Sequence, residues 1–130
     1  MQWEPQHSVG NEALDAQHRA LLAHCAALAD CVAGTGAEGE RKFRQVFEEL
    51  MALSREHFAA EEALLERGGY PDLETQRNER EEFDYLAAEI ITTENFDRDE
   101  LQRFLLLWWT GHILGSVNKQ RAFLARQPAP

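Results

Sequence analysis

The chain is expected to fold as an all-α, up-down antiparallel four-helix bundle preceded by an N-terminal leader. Three observations lead there. Apolar residues recur at helical rather than alternating spacing. The long segments are rich in Ala, Leu, Glu, Arg and Gln, which favour helix. Breaks at residues 34–39, at Gly68-Gly69-Tyr70-Pro71 and at residues 92–97 divide the chain into four such segments. Long helices joined by short turns favour antiparallel neighbours. No run reads as a strand, and no repeat or low-complexity tract is present.

Taken in order, residues 1–14 read as a leader, with Trp3 expected to pack it against the bundle of residues 15–126. The first helix is expected over 15–32, burying Leu14, His18, Leu21, Leu22, Cys25, Leu28 and Val32. The second, over 40–66, turns inward Phe43, Val46, Phe47, Leu50, Ser54, His57, Glu61 and Leu64 or Leu65. The third is expected to start at Pro71, a residue suited to a first helical position, and to bury Leu73, Gln76, Arg80, Phe83, Ala87 and Ile90. The fourth opens at Asp97, with Glu100 three residues on in a capping-box pattern. Its expected stripe is Leu101, Phe104, Trp108, His112, Gly115, Lys119 and Ala122. The tail, 127–130, is expected to be frayed.

Composition narrows the function classes. A chain of 130 residues suits one domain with a real core. Its 23 acidic and 13 basic residues give a net charge of −10. No basic cluster is present to meet nucleic acid or an anionic membrane. Leu105-Leu106-Leu107-Trp108-Trp109 is the most apolar run and is far too short to cross a bilayer. It covers more than one face of its helix, so a homo-oligomer through the fourth helix is one expectation and cover by the leader another. The N-terminus lacks the charged and apolar regions of a signal peptide. Cys25 and Cys31 lie about 9 Å apart along one helix, too far for a disulfide. Reduced thiols and no signal peptide make the expected location cytoplasmic.

Polar residues on the apolar stripes point to chemistry. His18, His57, Glu61 and His112 fall mid-stripe on three helices. Burying such groups without partners is costly. His57 and Glu61 are spaced i,i+4 and project toward a common point. Imidazoles and a carboxylate converging inside a bundle suit iron, zinc or manganese. A lone core histidine is more often scaffold than ligand, but four such groups on three stripes make coincidence less credible. His7, in the leader, and His24, off the stripe, read as rim residues.

These residues carry a resemblance. Trp3-Glu4-Pro5, then Ser8-Val9-Gly10-Asn11-Glu12-Ala13-Leu14-Asp15-Ala16-Gln17-His18, is similar to the opening of the hemerythrins. His57-Phe58-Ala59-Ala60-Glu61-Glu62 resembles that family's His-Phe-x-x-Glu-Glu, and Trp108-Trp109-Thr110-Gly111-His112-Ile113 its Trp-x-x-x-His-Ile. Tyr70-Pro71 falls where the family's third helix begins. The resemblance spans nearly the whole chain. It implies a non-haem di-iron centre that binds dioxygen in carriers, stores and sensors, held by five histidines and two bridging carboxylates.

At the matching positions His18, His57, Glu61 and His112 are kept, whereas the third helix has Gln76 and Arg80 in place of two histidines and Val117 replaces the second carboxylate. The resemblance implies that one iron would use His18 and His57 and the other the third-helix pair with His112. The loss is therefore one-sided, and a full di-iron centre is not expected. Arg80, a permanent cation, is expected to point at the stripped position. Three readings follow. In the first, one metal ion, iron or zinc, is held by two His and Glu61, with His112 or water completing the set, and binds O2 or NO as a sensor or store. In the second, the bundle is metal-free, with Arg80 pairing Glu61, and acts as an interaction or structural module. In the third, a mononuclear iron activates oxygen on a substrate, although no substrate-recognition motif is visible. A ferritin-like reading is weaker still, because that class needs Glu-x-x-His on two helices and the spacing occurs only at Glu4 and His7, in the leader.

Overall fold

The computed structural model describes residues 2–126, and the tail expected at 127–130 lies outside the described residues. Four helices, α1 (Glu12–Asp30), α2 (Gly36–Gly68), α3 (Leu73–Thr92) and α4 (Arg98–Ala125), form the bundle, with a short 3-10 turn at Pro5–His7 in the leader. Sequential helices pack on one another and α4 closes back on α1. No strand occurs among the described residues.

The helix ends follow local chemistry. The Asn11 side chain accepts the Leu14 N–H at 3.0 Å, so α1 begins at Glu12, three residues before the expected start. That frees Asp15 from the helix end. It is 5% exposed, and its carboxylate accepts the Ser8 hydroxyl and, at 2.9 Å, the Val9 N–H. The leader is thus tied to α1, and Val9 is fully buried. The guanidinium of Arg121 adds bonds to the Ser8 and Gln6 carbonyls from α4.

α2 starts four residues earlier than expected, at Gly36 rather than 40, because Gly34 and Gly39 allow the chain to cross itself closely. A Cβ on Gly39 would lie 2.4 Å from the Gly34 carbonyl carbon. At its far end Gly69 takes φ 72°, the left-handed region, and the Gly69 and Tyr70 N–H groups return to Glu66 and Leu65. α3 begins at Leu73, with Asp72 at its N-cap, two residues after Pro71. Asp97 caps α4 as expected, accepting the Asp99 and Glu100 N–H groups at 2.9 and 3.2 Å.

The α4 stripe differs from expectation. The buried residues are Leu101, Leu105, Trp109, Ile113, Ser116, Gln120 and Leu124, one position on from the Phe104, Trp108 series. One position is about 100° of helix. The apolar run at 105–109 fits either register, so spacing alone could not choose between them. Lys119 and Ala122, expected inward, are exposed. Leu107, at 73%, and Leu114, at 42%, remain exposed.

Two apolar clusters result. The larger gathers Leu21, Leu28, Phe43, Leu50, Phe58, Phe83, Leu105 and Trp109, and the smaller Val9, Leu14, Leu65, Tyr70 and Leu124. Along α1 His18 falls between Leu14 and Leu21, and along α2 His57 and Glu61 fall between Leu50 and Leu65. The polar group therefore sits at the junction of the clusters. No helix among the described residues is long and apolar enough to cross a membrane.

Candidate metal centre

The four polar residues are delivered by three helices. α1 supplies His18, one turn of α2 supplies His57 and Glu61, and α4 supplies His112. His18 and His57 are fully buried and Glu61 is 2% exposed, while the His112 side chain is 4% exposed. One potential ligand atom from each lies within 4.8 Å of all the others. Among the described residues this is the one group of three or more His, Cys, Asp or Glu so arranged.

The atoms that converge are Nε2 of each imidazole and Oε2 of the carboxylate. His57 Nε2 lies 3.2 Å from His18 Nε2, 3.3 Å from His112 Nε2 and 3.1 Å from Glu61 Oε2. His112 Nε2 lies 3.0 Å from the same oxygen. His57 donates its Nδ1 proton to the Gln17 side-chain carbonyl at 2.9 Å. A neutral His57 then has a lone pair at Nε2, facing the ionised Glu61 oxygen. Two lone pairs at that distance repel, so the arrangement favours a proton or a metal cation between them. His18 Nδ1 is buried and makes no hydrogen bond.

Burial sets the charge states. Desolvation pulls the His18 imidazole down to about 2, with the neighbouring His57 and His112 acting the same way. His57 is also lowered, mainly by burial, against the opposing pull of Glu61. Burial alone would raise Glu61, yet the nearby His112 and its hydrogen bond, with His57 alongside, outweigh it and hold the carboxyl well below the usual range. Neutral imidazoles and an ionised carboxylate are the forms that bind metal.

Aromatic rings wall the group. Trp109 meets His57 edge-on at 5.6 Å, Trp108 stacks on His112 at 5.1 Å, and Trp3 lies 6.4 Å from His18. Trp3 thus packs the leader against the bundle, as expected, with Arg19 over its ring. His7 accepts the Glu4 N–H and His24 lies 3.6 Å from Glu49, so both stay at the rim.

The altered positions are dispersed. Gln76 is 8% exposed and faces a cleft shared with His112. Val117 packs against the smaller apolar cluster. Arg80 corrects the expected pairing: its Nη1 lies 3.1 Å from Glu62, not Glu61, and a third of its side chain is exposed. Glu62 is one position round α2 from Glu61 and reaches the bundle edge, where a guanidinium can stay hydrated. Arg80 therefore turns to the bundle edge and does not pair with Glu61. Sequence reasoning missed Gln17, whose role depends on a neighbouring helix.

A family model described as the hemerythrin HHE cation-binding domain matches residues 9–116. A curated bacteriohemerythrin from Stenotrophomonas maltophilia (strain R551-3) is 29% identical over 116 residues, 87% of this chain and 74% of that protein. No solved structure matches the chain.

Proposed function

The chain belongs to the hemerythrin family, and from that premise we propose that it holds one non-haem metal ion, iron or zinc, where the family pattern has two. The supporting observation is the convergence of His18, His57, Glu61 and His112 within 4.8 Å. Three imidazole nitrogens and one carboxylate oxygen suit a borderline ion. His112 is thus a full member of the set rather than an occasional completion of it. A second ion lacks ligands, since the matching residues are an amide, a guanidinium turned to Glu62 and a valine.

When bound, the ion supplies a centre that can polarise or bind a small ligand. The chain's residues do the rest. Gln17 fixes the His57 tautomer and aims Nε2 inward. Glu61 supplies negative charge, and Trp108, Trp109 and Phe58 limit water around the imidazoles. With iron, whose coordination exceeds four, O2 or NO is the ligand class and a sensor or store the role. With zinc, four protein ligands make a closed structural site.

One observation favours a metal-free reading as an interaction module: Glu61 is already bonded by His112. Calorimetric titration of metal-free protein with Zn(II) or Fe(II) separates the two. One equivalent is expected to bind, and binding is expected to be lost in Glu61→Ala. Absence of uptake by the unaltered chain would sink the single-ion reading.

A further inference from the structure

The outer face of α4 is built unlike that of α3. Glu100, Arg103, Leu107, Leu114, Asn118 and Arg121 are all exposed. At 100° per residue they point within about 40° of the Leu107 direction. No Asp, Glu, Lys or Arg stands between Arg103 and Lys119, a span of roughly 24 Å of helix. The outer face of α3 instead carries Glu81, Glu82, Asp84 and Glu89. In a chain of net charge −10, the uncharged stretch of α4 lets two copies meet without bringing carboxylates together.

The leader does not cover this stretch. It meets α4 at Arg121, whose guanidinium bonds the Ser8 and Gln6 carbonyls. With the leader in place Leu107 is still 73% exposed and Leu114 42%. Gly111 lies between them, and a Cβ there would meet nothing within 4 Å. Packing inside the chain therefore does not require glycine at this position, although glycine weakens a helix interior. Its missing side chain allows a second helix to approach closely.

The face is also self-complementary. When two copies of α4 pair antiparallel about a two-fold axis at the Thr110–Gly111 step, residues equally far from that step face each other. Leu107 then meets the partner's Leu114, Arg103 the partner's Asn118, and Glu100 the partner's Arg121. The axis makes each contact twice. Among the described residues Glu100 has no cation partner and Arg121 no carboxylate partner. Moving the axis onto Gly111 would set Arg103 against the partner's Lys119, and those like charges repel.

We propose that the outer face of α4 binds a second copy of this chain, antiparallel, with Leu107 against the partner's Leu114 across a two-fold axis beside Gly111. One helix pair covers less than the ~800 Å² per partner of a standard interface, so the dimer is reversible. It does not depend on an ion in the buried cluster.

Sedimentation velocity of the full chain across a dilution series tests it. The mass of two chains is expected at high concentration, giving way to one chain on dilution. Leu107→Glu and Leu114→Glu are each expected to weaken the dimer by about tenfold or more. Both positions are exposed, so the helical circular dichroism should be unchanged. Asn118 reports the register. Asn118→Glu meets the partner's Arg103 and should tighten the dimer several-fold, whereas Asn118→Lys should loosen it. A chain that stays monomeric at every concentration, a dimer that either leucine variant leaves intact, or an equal response to both Asn118 variants would overturn the proposal.

Discussion

Gln17 orients His57 from a neighbouring helix, and so governs whether Nε2 faces the cluster. Gln17→Leu keeps the bulk and removes the acceptor. Zn(II) affinity, measured by chelator competition, is expected to fall by about 10- to 100-fold; an unchanged value would mean that packing alone sets the ring. The buried imidazoles also set a pH dependence. His18 and His57 are lowered in the fold and regain their ordinary value of 6.5 on unfolding. The unfolded chain therefore binds more protons below that pH, and the stability of the metal-free protein should decline as pH falls from about 6.5. Glu61, held low in the fold, adds a further loss below its ordinary value of 4.5. Thermal melts from pH 7.5 to 4.5 check this; a flat Tm from pH 7.5 to 5.5 would contradict it.

At the scale of the helix, caps and stripes explain what could be read from the sequence. Asp97 is a cap that the sequence signals and the geometry bears out. Asp97→Ala should cost about 1 kcal/mol in chemical unfolding, and no loss would show that the α3–α4 turn holds α4 without it. The stripes of α1 and α2 were legible because each alternates apolar and polar residues cleanly, and His18, His57 and Glu61 fall within them. α4 was not, because residues 105–109 are all apolar and leave the register free. Packing on α1 and α3, with Trp109 against Phe58 of α2 and Phe83 of α3, selects Leu105 and Trp109 over Phe104 and Trp108. His112 stays near the core in either register, so the candidate ligand survived the error. The Arg80 pairing failed for a different reason: periodicity places a Cα on a stripe, but a long side chain ends where its charge can be hydrated and paired.

In the whole molecule, two apolar clusters support one polar junction, and the leader closes the end nearest Leu14. The positions that the resemblance reads as altered ligands, Gln76, Arg80 and Val117, lie on α3 and on α4 beyond His112. The triple variant Gln76→His, Arg80→His, Val117→Asp should therefore raise the iron content from one ion per chain toward two; a content still at one would show that α3 no longer sits where a second ion needs it. The most direct measurement is on the unaltered chain: iron content after anaerobic loading, with the optical spectrum recorded before and after exposure to air. One iron per chain, without the charge-transfer bands of an oxo-bridged pair, is expected. Two irons per chain with those bands would contradict the single-ion centre.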